Sequence, residues 1–152
     1  MNISSISDSD LLHEYVKRFN IPAGESIGTS REAANHFRSY FAADAMKKEK
    51  FVICFLNSQN QVISTAVLFE GTLNTSAVYP RIVVEKVLEL GAGSVILAHN
   101  HPSSNIVPSS SDRALTKKLQ TILTAMDVDT LDHIIIGNGT EEFFSFSDNR
   151  LL

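Results

Sequence analysis

The stretch AHNHPSSNIVPSSSD, residues 98 to 112, holds three side chains of metal-binding type: His99, His101 and Asp112. In extended backbone, residues i and i+2 point to the same side, so His99 and His101 can aim both imidazoles at one point. Pro102 favours that backbone, because the residue before a proline avoids the helical region. Asp112 falls in the first turn of the helix expected next, and strand ends meet helix starts at a crevice in α/β sheets. Two imidazole nitrogens and one carboxylate oxygen are three protein ligands that leave one position for water, the arrangement of catalytic zinc. A structural reading stands beside it. Ser109-x-x-Asp112 is a capping-box pattern, with the hydroxyl accepting from helix N–H groups and the carboxylate favoured by the helix dipole. Spacing alone leaves both open.

The surrounding elements decide whether these groups can meet. Residues 8 to 20 form an amphipathic helix with Ser7 or Asp8 as cap and Leu11, Leu12, Tyr15, Val16 and Phe19 on one stripe. A second helix fits residues 30 to 46, with Ser30 as N-cap and Ala33, Ala34, Phe37, Tyr40 and Phe41 inward. The pair is expected to pack loosely against the rest. KFVICFLNSQNQVISTAVLFEG is a hairpin turning at NSQNQ. YPRIVVEKVLELG is a helix with Pro80 in its first turn and Gly91 at its end. GSVILAHNHP is a strand of the kind buried on both faces. PSSSDRALTKKLQTILTAMD is a helix with Leu115, Leu119, Ile122 and Leu123 inward. VDTLDHIIIGNGTEEFFSF is a second hairpin, turning at GNGT. The order ββ-α-β-α-ββ predicts an α/β domain with a mixed sheet and helices on both faces.

The 152 residues suit one core, and 43% hydrophobic with 20% charged residues is ordinary globular composition. A net charge of −4 speaks against a sequence-independent grip on nucleic acid phosphates. The single cysteine, Cys54, lies in the apolar run FVICFL and reads as a buried thiol in a reducing compartment. No signal peptide or membrane-length apolar segment of roughly 20 residues is visible, so the cytoplasm is the expected location.

The blocks GTLN (71 to 74), VYPR (78 to 81), ILAHNHPS (96 to 103), the pair Ser109 and Asp112, and LDHIIIG (131 to 137) resemble, in order, those of RadC-like proteins. These are a branch of the JAB/MPN domain superfamily with its JAMM zinc-hydrolase motif. The resemblance implies a cytidine-deaminase-like three-layer α/β/α sandwich with a mixed sheet over residues 27 to 152. Residues 1 to 26 would form an N-terminal helical extension. The deaminase signature is absent, since neither His-x-Glu nor Pro-Cys-x-x-Cys occurs.

The resemblance also implies Zn2+ held by His99, His101 and Asp112, and a metalloprotease or isopeptidase type of amide hydrolysis on a peptide or protein substrate. A glutamate on an earlier strand would take a proton from the attacking water, and Ser109 would stabilise the oxyanion. Aligned on GTLN, that glutamate is expected at position 66, where this chain has Ala66. Glu70 lies four residues on, on the same face by parity but about 13 Å along the strand. The resemblance therefore carries two functional expectations: a zinc hydrolase, or a non-catalytic zinc-binding module with a possible tie to DNA repair. Ile106 and Val107, apolar on an exposed loop, are expected to pack, with contact to a substrate as the minor alternative. His133 is read as a structural hydrogen-bonding group, with support of a metal ligand as the minor alternative. Arg81 is read as an ion-pair partner within the fold, with binding of a carboxylate or phosphate as the minor alternative, and His13 and His36 as surface or partner residues.

Overall fold

A computed structural model describes residues 2–42, 48–71, 78–103, 105–137 and 141–152. Its elements are a short 3-10 turn (Ile3–Ser5), α1 (Asp8–Phe19), α2 (Ser30–Phe41), β1 (Lys50–Leu56), β2 (Val62–Glu70), α3 (Pro80–Leu90), β3 (Ser94–His101), α4 (Ser110–Thr124), β4 (Asp129–Gly137) and β5 (Phe143–Ser145). Residues 43 to 46 of the expected second helix, 72 to 74 of GTLN and 138 to 140 of GNGT lie outside the described residues.

The helix ends follow side-chain chemistry. Ser7 caps α1 by accepting from the Asp10 N–H. Thr29, rather than the expected Ser30, caps α2 by accepting from the Glu32 N–H. Pro80 opens α3, and Gly91 closes it at φ 64°, a left-handed conformation that glycine adopts without penalty.

The five strands form one mixed sheet in the order β2-β1-β3-β4-β5. β1 pairs antiparallel with both β2 and β3, β3 and β4 run parallel across α4, and β5 returns antiparallel on β4. Strand alternation sorts the apolar residues into two cores. Val52, Cys54, Leu56, Ile96, Ala98, Ile134 and Ile136 face Ala33, Ala34, Phe37 and Phe41 of α2. Phe51, Ile53, Phe55, Val95 and Leu97 face Val83 and Val87 of α3 and Leu115, Leu119 and Leu123 of α4. The result is the three-layer α/β/α sandwich with a mixed sheet that the resemblance implies.

The first helices depart from expectation. α1 alone is loosely held: it buries no residue, and Leu11 and Phe19 are exposed. α2 is a full layer, and Phe37 and Phe41 are among the largest buried side chains. His36, expected at the surface, is fully buried on the same helix. Its Nδ1 accepts from the Ile21 N–H at 2.8 Å, so Nε2 carries the proton and donates to Thr65 Oγ1 at 2.9 Å. One imidazole thereby ties the α1–α2 link to the sheet's edge strand. His13 is exposed, as expected.

Candidate metal centre

Along β3 the odd positions face α3 and α4. Val95 and Leu97 fill the core there, and His99 and His101 continue the same row at the strand's carboxyl end. The first turn of α4 delivers Asp112 to them. His99 Nε2 and His101 Nε2 stand 3.0 Å apart. Asp112 Oδ1 is 3.3 Å from His99 Nε2, and Oδ2 is 3.1 Å from His101 Nε2. Ligand atoms of all three residues lie within 4.8 Å of one another.

The capping box is also present. Asp112 Oδ2 accepts from the Ser109 N–H at 2.8 Å, and Ser109 Oγ accepts from the Asp112 N–H at 3.0 Å. The structural and metal readings of Asp112 therefore hold together: the bond that starts the helix also aims the carboxylate. Ser109 is exposed beside the site, and its hydroxyl proton remains available to donate.

Electrostatics at this point favour positive charge. The hydrogen bond that protonated His101 donates to Asp112 raises the His101 pKa against its burial, helped by the Asn105 carbonyl and by the negative charges of Asp112 and Glu49. Burial pushes the Asp112 carboxyl up. With the imidazoles protonated, hydrogen bonds from His101 and His99, together with that from the Ser109 N–H, outweigh it and hold Asp112 well below the ordinary carboxylate range.

Each imidazole is also gripped from behind. His101 Nδ1 is 2.7 Å from the Asn105 carbonyl oxygen. His99 Nδ1 is 2.7 Å from Nε2 of the fully buried His133. His133 Nδ1 is 2.6 Å from Thr116 Oγ1, which donates to the Asp112 carbonyl at 2.8 Å. Burial, then the charge of His99, push the His133 pKa well down. His133 thus stands directly behind a candidate ligand. Thr116 escapes sequence inspection, although its place four residues after Asp112 on one helix face is a local signal.

Two further residues emerge from strand register. Phe51 lies opposite His99, and the next residue back, Lys50, donates its backbone N–H to Asn100 Oδ1 at 2.8 Å. Asn100 Nδ2 donates to the Lys48 carbonyl at 2.9 Å. The buried amide between the two histidines therefore clamps the backbone on both sides of Glu49. By parity Glu49 shares the face of Phe51 and His99, and its charge acts on His101.

The other expected positions fall elsewhere. Ala66 lies opposite Ile53 and packs against the core under α3 and α4, a rung deeper than His99. Glu70 does not share the site's face. A bulge after Phe51 interrupts the alternation, and Glu70 pairs with Lys50, whose position belongs to the opposite face. Arg81 packs its guanidinium 5.5 Å from the Tyr79 ring centroid and makes no ion pair among the described residues. Ile106 is half-buried, whereas Val107 is 62% exposed, so the expected packing fails there.

The donor set suits a metal ion. His101 faces a carbonyl with Nδ1, so its neutral form donates there and turns a bare Nε2 toward His99 and a carboxylate. Lone pairs at such separations repel unless a cation joins them. Nitrogen and oxygen donors of this kind, each oriented by an outer partner, are what divalent transition metals bind.

A three-layer α/β/α domain with a His-x-His strand end and an Asp-headed helix is the JAB/MPN class. A family profile described as "RadC-like JAB domain" matches residues 27–151, and the chain belongs to that family. It is 44% identical over 124 residues to the UPF0758 protein PBPRA0202 of Photobacterium profundum, covering 82% of this chain and 54% of that protein. It is 42% identical over 108 residues to the UPF0758 protein YkfG of Escherichia coli, covering 71% of this chain and 67% of that one. The chain spans about half the length of the first curated relatives it matches.

Proposed function

We propose that this domain is a zinc-dependent hydrolase of amide or isopeptide bonds, with Glu49 as the carboxylate that moves the proton. The observation that carries this reading is the convergence of His99, His101 and Asp112 at one strand end, with Glu49 level with them on the same sheet face. The two histidines and Asp112 would hold the ion. Bound zinc would supply a Lewis acid that polarises the carbonyl and makes water a better nucleophile at neutral pH. Glu49 would take the proton from the attacking water and return it to the departing nitrogen. Ser109 would donate its hydroxyl proton to the oxygen that gains charge. Glu49 in this role removes the need for a carboxylate at position 66.

The second reading is a zinc-binding module without catalysis, favoured by Ala66, which cannot accept a proton. Zinc content and turnover separate the two. Purified protein is expected to hold one zinc per chain and to cleave members of a peptide and isopeptide library, with loss of activity on chelation and recovery on zinc addition. Stoichiometric zinc without chelator-sensitive cleavage would leave only the module.

A further inference from the structure

We infer that Thr116, acting through His133, is a positioning residue that selects the metal-binding tautomer of His99. The inference rests on the metal-site part of the reading above and is independent of hydrolysis. Thr116 has one hydroxyl proton, and its bond to the Asp112 carbonyl at 2.8 Å uses it. Toward His133 Nδ1, 2.6 Å away, Thr116 Oγ1 can therefore only accept, so that nitrogen carries the proton. His133 is fully buried, an environment that keeps an imidazole neutral. A neutral ring with its proton on Nδ1 has a bare Nε2. That lone pair accepts from His99 Nδ1 at 2.7 Å, which leaves the His99 Nε2 lone pair facing His101 and Asp112.

The chain of bonds begins and ends at one residue. It starts at the Asp112 backbone carbonyl, passes through Thr116 and His133 to His99, and leaves the His99 Nε2 lone pair 3.3 Å from the Asp112 carboxylate, where a cation would close it. One residue of α4 thus supplies a ligand and, through its peptide group, directs another. Phe51 lies parallel to His99 and Phe146 to His133, at 12° and 15° between planes, and they pack each ring in place while the two imidazoles cross at 65°.

The test uses the intact chain and two variants. Thr116→Val keeps the side chain's shape and removes the acceptor. Thr116→Ser keeps the hydroxyl. Long-range 15N–1H correlation on metal-free wild type, at a pH where the imidazoles are neutral, is expected to find the His99 proton on Nδ1. In Thr116→Val, His133 loses the partner for its Nδ1 proton and can turn Nε2–H toward His99. The His99 proton then moves to Nε2. Zinc affinity, measured by competition with a chromogenic chelator, is expected to fall about 10- to 100-fold in the valine variant. The serine variant is expected to restore both readouts. A wild-type His99 protonated on Nε2 would overturn the inference even if Thr116→Val fails to fold. So would a folded Thr116→Val that binds zinc as wild type does. Zinc binding with no hydrolysis would sink the proposed activity and leave this relay standing.

Discussion

On the proposed reading, turnover would depend on a carboxylate within reach of water at the His99–His101–Asp112 cluster. Glu49 and position 66 compete for that role, and they differ in height on the sheet. Continued two residues before the Phe51–His99 pair, the β1–β3 register would set Glu49 level with His101, while Ala66 sits opposite Ile53, a rung below His99. Glu49→Gln keeps size and hydrogen bonding but loses basicity. It is expected to lower kcat by roughly 10²- to 10⁴-fold with zinc affinity within a few-fold of wild type. Ala66→Glu places a carboxylate against the core under α3 and α4, and is expected to reduce stability without raising kcat. Steady-state kinetics on the cleaved peptide, with melting curves, check both. A faster Ala66→Glu enzyme and an unaffected Glu49→Gln would transfer the base to position 66 and return wild type to a non-catalytic module.

At the scale of elements, β3 does two jobs on two faces. Its odd positions carry the histidines, and its even positions carry Ile96, Ala98 and the Asn100 amide. Asn100→Ala removes partners from the Lys50 N–H and the Lys48 carbonyl beside Glu49. A loss of about 2–4 kcal/mol in denaturant unfolding is expected from these two backbone groups. A fall in kcat that exceeds any change in zinc affinity is expected too, since the clamp would hold the proposed base rather than the ion. Strand register also explains what could be read in advance. The metal set is local: i, i+2 alternation places the histidines, and a four-residue capping pattern places Asp112. Glu49 is not local, because only the pairing of Phe51 with His99 brings it to the site. Glu70 shows the same limit in reverse, since the bulge in β2 defeats a parity argument that holds for regular strands. α2 shows another. Its apolar stripe indicates a buried face, but periodicity does not reveal that this face covers a whole side of the sheet and takes His36 with it.

Across the whole molecule, His36 makes stability depend on pH from the side of the sheet away from the His99–His101–Asp112 cluster. Burial lowers its pKa from 6.5 to about 4. The neutral form is the folded form's requirement, so its contribution is complete above about pH 6.5. It declines as the pH falls and is exhausted near pH 4. The shift corresponds to up to about 3 kcal/mol. Metal-free wild type is therefore expected to lose up to about that much more stability than His36→Gln between pH 6.5 and 4. Parallel urea titrations of the two proteins measure it, and equal pH slopes would contradict the assignment. Among the described residues no helix is long and apolar enough to cross a membrane.

The chain's only sulfhydryl, Cys54, is sealed in the core beneath α2, where burial drives its pKa to about 11. It therefore offers no thiolate to an incoming ion and sits across the sheet from the imidazoles. An ion seated between His99, His101 and Asp112 has only nitrogen and oxygen donors around it. A cobalt-loaded sample would carry its colour without a sulfur-to-metal charge-transfer band, so the optical spectrum alone identifies which face of the sheet has taken up metal.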